Sequence, residues 1–192
     1  MANTDRPNGF RIVSNRDGSP FTGGFRKYYS PNDNLFKGDL VEQETSGTTS
    51  GDGRYPGVDR IDAAGDVIAG VVVGWEANPT DLGALYHAAS SVYAVYIADV
   101  QDVIMEAQSD DATMVAADVG LNISPTVTAG ATATGLSNME LDGDTAATTN
   151  TLTLRVIGAV DRADNDATDS TANQRWLVTV NSSAHANLIA GV

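Results

Sequence analysis

The stretch VIAGVVVGW, residues 67–75, is the densest apolar run in the chain, and its reading decides the fold. A helix that crosses a bilayer needs about 20 apolar residues, so this run is far too short to be one. It is rich in β-branched valine and isoleucine and flanked by polar, glycine-containing segments, which is the pattern of a strand. A period of two places Val71, Val73 and Trp75 on one face.

Working outward, the same alternation recurs in short segments separated by turn signals. GDLVEQE (38–44) precedes the polar stretch TSGTTSGDGRYPG (45–57). SVYAVYIAD (91–99) alternates Tyr93, Val95 and Ile97 with Val92, Ala94 and Tyr96, and DVIMEAQ (102–108) follows as its hairpin partner. LNISPTVTAG (121–130) reads as a strand interrupted at Pro125, and hence as an edge strand. TLTLRVIGAV (151–160) and RWLVTVN (175–181) complete the set, the latter with Trp176, Val178 and Val180 on one face. Residues 78–90 and 112–120 allow at most two short helices. Residues 126–151, mostly Thr, Ala and Gly, read as a long surface excursion. The expected fold is mainly β: a small barrel or sandwich of six to eight short strands with long loops.

The first 37 residues differ from the rest. Pro7, Gly9, Gly18, Pro20, Gly23, Gly24 and Pro31 break any period, while Phe10, Phe21, Phe25, Tyr28, Tyr29 and Phe36 are interleaved among them. Such aromatic density does not suit a disordered tail. The expectation is an extended N-terminal arm (1–37) that orders against this protein's own body or a neighbouring molecule. A β-rich body (38–181) and a C-terminal tail (182–192) follow, with Leu188, Ile189 and Val192 as anchors for the tail.

Charge divides the chain in the same place. The full sequence has 11 basic and 25 acidic residues and a net charge of −14. Up to Lys37 there are six basic residues and three acidic ones, a balance of +3; the remainder carries five and twenty-two, a balance of −17. The acidity argues against nucleic acid and against an anionic membrane surface as partners. There is no cysteine, so disulfides and thiolate metal sites play no part. Residues 1–20 contain no apolar signal-peptide core, and synthesis in the cytoplasm is expected.

His87 and His185 have no partner at metal-ligand spacing, and no G-x-S-x-G, G-x-G-x-x-G or P-loop pattern occurs. No catalytic residue, cofactor or metal is expected. Asp161, Asp164, Asp166 and Asp169 in DRADNDATD could offer oxygens to calcium, but the spacing is not that of an EF-hand, and a solvated acidic loop is the plainer reading. Trp75 and Trp176 alternate with valines and read as core rather than as a sugar platform.

MANTDRPNGFRIV, GSPFTGGFRKYY, KGDLV, GVVVGWEANP, VYIADVQDVIMEAQ, GLSNMELD and RVIGAVDRADND together resemble a family of tailed-bacteriophage head cement or decoration proteins. The resemblance runs from Met1 to about Val180. It implies a mostly-β virion protein on the outer capsid surface that bridges neighbouring capsomers and carries no catalytic residues. Its implied partners are the major capsid protein and copies of itself, trimers being common in the family. Arginine and aromatic residues dominate interface energetics. On that footing Arg6, Phe10, Arg11, Arg16, Phe21, Phe25, Arg26, Lys27, Tyr28 and Tyr29 are the candidate contact residues. The competing functions are a glycan-binding module on the virion, a low-copy head–tail joining component, and a hydrolase with a spatially assembled site.

Overall fold

The computed structural model describes residues 3–44, 53–63, 65–110, 113–167 and 172–182. His185, Asp169, the tail anchors Leu188, Ile189 and Val192, and most of the polar stretch after Glu44 lie outside the described residues.

The strands are β1 (Arg11–Asn15), β2 (Arg26–Tyr28), β3 (Leu40–Gln43), β4 (Val58–Arg60), β5 (Ile68–Trp75) and β6 (Val95–Ala98), then β7 (Val103–Gln108), β8 (Asn122–Thr126), β9 (Glu140–Ala147), β10 (Leu154–Ala159) and β11 (Arg175–Val180). They form two antiparallel sheets, ordered β1-β7-β11-β10-β8-β9 and β2-β6-β5-β3-β4. The arrangement is an open sandwich, not a closed barrel. The second sheet is built from one continuous stretch of chain, β2 to β6. The first sheet is built from β7 to β11, with β1 added at its edge.

Two apolar clusters explain why β5 is buried almost without alternation. On one face Val71 and Ile68 meet Leu40, Phe10, Met105, Ile123, Met139 and Trp176 between the sheets. On the other, Val72 meets Val41, Val95, Ile97, Tyr28 and Leu35. The second sheet is therefore covered on both faces, which favours a continuous apolar run over a half-polar one. Pairing with β6 slips between Val72 and Gly74, so that Trp75 lies opposite Val95. This bulge turns Trp75 onto the Val72 side, away from the face of Val71 that strict alternation predicts.

The N-terminal segment is part of this body, which corrects the expectation of an extended arm. Arg11 to Asn15 pairs with β7, and Arg26 to Tyr28 pairs with β6. Phe10, Tyr28, Leu35 and Phe36 are buried. The physical reason is that β5 needs a cover on its second face, and residues 28–35 supply it. Among the described residues eleven strands form where six to eight were expected, because β1, β2, β4 and β9 lie in glycine-, proline- or threonine-rich text.

Two further corrections concern the middle of the chain. Pro125 lies in β8, which sits between β10 and β9 rather than at an edge. It is tolerated because the pairing with β10 covers only Asn122 and Ile123. The excursion after Thr126 holds β9, whose Leu141 is fully buried together with the preceding Met139. Helix is confined, among the described residues, to one 3-10 turn at Ala116–Asp118.

A backbone crossing fixes the entry of the N-terminal segment. The Phe10 amide donates to the Gly38 carbonyl at 2.9 Å, and the Gly38 amide donates to the Val72 carbonyl at 2.9 Å. Gly9 adopts φ +65°, and a Cβ there would come within 2.4 Å of the Gly38 oxygen and 2.5 Å of the Ser137 Cβ. Gly18 also has positive φ, +84°, but faces open space. Gly9→Ala is expected to lose about 2–4 kcal/mol of stability in urea unfolding, from backbone conformation and overpacking together. Gly18→Ala should lose only about 1 kcal/mol. Equal losses at the two positions would contradict the crossing.

Candidate partner-binding cleft

Beside β1 of the first sheet and β5 of the second lies a cleft of about 540 Å³. Phe10, Ile12, Phe21, Val71 and Val73 of β5, and Leu136 line it together with Gly38. Arg11 and Lys37 are the charged side chains at its rim; no acidic side chain lines it among the described residues. Lys37 is held there by its backbone, its amide donating to the Gly135 carbonyl and its carbonyl accepting from the Ser137 amide, both at 3.0 Å.

Behind Arg11 lies a knot of charge. Glu106 on β7 is buried, and it accepts hydrogen bonds from Arg11 at 2.6 Å and Arg162 at 3.2 Å, with Arg175 of β11 at 3.5 Å. Arg162 also donates to Asp164 at 2.5 Å, and the Arg175 guanidinium donates to the Arg6 carbonyl at 3.1 Å. Burial alone would raise the Glu106 carboxyl, but the Arg11 hydrogen bond and the three guanidinium charges outweigh it and hold the carboxyl below its usual range.

The residues expected to contact a partner separate into groups. Phe10, Arg11 and Phe21 meet at the cleft. Tyr28 and Phe10 are largely spent on the core, at 4% and 2% exposure, which corrects their assignment as exposed anchors. Phe25 stacks on Tyr96 at 4.5 Å, and Lys27 pairs with Glu76 at 2.5 Å on the same part of the sheet. Arg6, Arg16 and Arg26 are exposed, but none of them lines the cleft. Tyr29 pairs through its backbone with Pro56 and Val58. Sequence reasoning missed Lys37, Leu136 and Glu106. Only Lys37 carried a signal, as the last cation of the basic N-terminal segment.

The other sequence candidates have structural roles. Trp176 is in the core at 1% exposure, its indole donating to Gln174 at 3.0 Å. His87 is fully buried; its Nε2 lies 3.0 Å from the Tyr93 carbonyl, and burial pushes its pKa down. Within the acidic loop, Arg162 engages Asp164, and the Asp166 amide donates to Asn3 at 2.8 Å.

A separate acidic trio, Glu42, Asp62 and Asp66, brings its carboxylate oxygens within 4.8 Å of one another. Burial, then the charges of Asp66, Asp62, Asp59 and Glu44, push Glu42 up to about 7. Burial likewise raises Asp39 to about 6, despite hydrogen bonds from Ser137 and from the Phe36 amide at 2.8 Å.

Comparisons with protein-family models, curated proteins and solved structures find no match to this chain.

Glu106→Gln should destabilise the protein by about 2 kcal/mol in urea unfolding, because three guanidinium groups lose their shared anion. An unchanged midpoint would show that the knot contributes nothing. Glu42 and Asp39 behave oppositely to Glu106. Their folded pKa values lie above those of the unfolded chain, so the folded state binds more protons from about pH 4 to about pH 7. Stability should therefore fall as pH rises through that window, and Tm should be higher at about pH 5 than at about pH 8. Asp39→Asn combined with Glu42→Gln should flatten the slope in scanning calorimetry; an unaltered slope would contradict the assignment.

Proposed function

We propose that this protein is a non-enzymatic capsid cement or decoration protein that binds the outer face of a phage head and bridges neighbouring capsomers. The reading rests on the family resemblance, whose densest motifs fall in the N-terminal segment. The observation that carries it furthest is that this same segment builds an apolar cleft with a cationic rim on a chain of net charge −14. An apolar hollow ringed by arginine and lysine suits an acidic, partly apolar surface, such as a shell protein would present. A lattice-bound protein also gains from many repeated modest contacts, since multivalency multiplies weak affinities. The acidic remainder keeps the protein soluble and repels the packaged nucleic acid.

In a density gradient of a lysate containing the native protein, it should co-migrate with full heads. Its ratio to one abundant shell protein should be near-stoichiometric. A slow-sedimenting pool with none on particles would overturn the reading, and a few copies per particle would favour a joining component instead.

A further inference from the structure

The loop between β5 and β6 is the molecule's most conspicuous apolar exposure. Leu82 is 84% exposed, Val92 88% and Leu85 50%, three of the eight large exposed hydrophobic residues among the described residues, all in a single connection. Isolated exposed apolar residues are ordinary; three in one loop mark that loop as a place for a partner to cover. The loop is also held in place. Its Leu85 carbonyl lies against Gly135, where a Cβ would come within 1.9 Å of it, and the His87 and Leu35 backbones exchange hydrogen bonds at 2.9 Å. Asp81, the residue before Leu82, accepts from the Gly83 amide at 3.0 Å, which fixes the turn that presents Leu82.

Gly135 is followed by Leu136 in the lining of the cleft, so the protruding loop and the hollow are neighbours on one molecule. The loop offers leucine next to an aspartate. The cleft offers an apolar hollow with Arg11 and Lys37 at its rim, and Lys37 has no ion-pair partner among the described residues. The charges are complementary, and Leu82 is too exposed to occupy its own cleft.

We propose that the cleft receives the Asp81–Leu82 turn of a second copy of this chain, with Asp81 of that copy paired to Lys37. Because knob and hollow are neighbours, two copies related by a twofold axis can exchange turns reciprocally, and each contact is made twice. This inference stands on the loop and the cleft and does not require the decoration reading.

The test is sedimentation velocity of the full chain across a concentration series. The wild type should associate reversibly. Leu82→Asp, at an exposed position that the fold does not use, should weaken association about tenfold or more. Lys37→Glu and Asp81→Lys should each weaken it, and the two together should restore most of the loss, because the reversed pair is again complementary. A wild type that stays monomeric throughout, or two charge reversals whose losses simply add, would overturn the proposal. A monomeric protein that still co-migrates with heads would overturn this contact alone and leave the decoration reading standing.

Discussion

The structure depends on the burial of β5 on both faces. A strand of Ile, Ala, Gly and Val with so little polar relief cannot lie on a half-solvated sheet, so it must be covered twice. The first sheet covers one side. No helix is available for the other, and the residues from Tyr28 to Leu35, with Val58 of β4, take that role. The consequences spread through the fold. The N-terminus has to cross from β1, at the edge of one sheet, to β2, at the edge of the other. That passage brings Phe21 into the lining of the cleft.

This is why the sequence was legible in its middle and obscure at its start. β5 announces itself as a dense β-branched run and β11 by apolar alternation, with Trp176, Val178 and Val180 on the buried face as spacing requires. β1 and β2 are short, separated by glycines and prolines, and stabilised by partners far along the chain at Glu106 and Ile97. Local pattern cannot report such pairing. The aromatic density before Lys37 was the usable signal: it demanded an apolar surface to order against, and that surface belongs to the same molecule. β9 was hidden for a different reason. Its text of Asp, Gly, Thr and Ala is half-exposed edge, and only Met139 and Leu141 reach the core. The bulge at Gly74 left no trace in periodicity, so Trp75 was placed on the wrong face.

Of the cleft, Phe10, Arg11 and Phe21 were legible as interaction-prone residues, but their grouping was not, since Val73 and Leu136 come from distant segments. The charge asymmetry was legible in sum and not in detail. Part of the positive charge of the N-terminal segment is consumed internally: Arg11 faces Glu106 and Lys27 faces Glu76. Arg11 keeps most of its side chain in solvent while its guanidinium reaches the buried Glu106 carboxylate, which ties β1 to β7 and, through Arg175, to β11. Such pairs contribute specificity of register as much as stability. Lys37 is the other cation that lines the cleft, and its place there is set by backbone bonds rather than by an anion.

That last point bears on why the cleft persists instead of collapsing. Apolar walls facing each other across water gain free energy by closing, at roughly 25 cal/mol per Å² of surface removed. Here the strand-like strap of residues 36–38 is wedged between the sheet and the 135–137 turn. It is bonded to Val72 on one side, to Gly135 and Ser137 on the other, and to Phe10 across its face. Gly38, at φ +97°, packs so closely on Asn8 that an added Cβ would meet the Asn8 oxygen at 2.6 Å, which keeps this part of the strap glycine. The lining of the hollow at Gly38 is thus fixed by the same glycine crossing that admits the N-terminus. Affinity there would not be reduced by the cost of prying the sheets apart, which is the condition under which a single leucine and a single ion pair suffice for a specific contact.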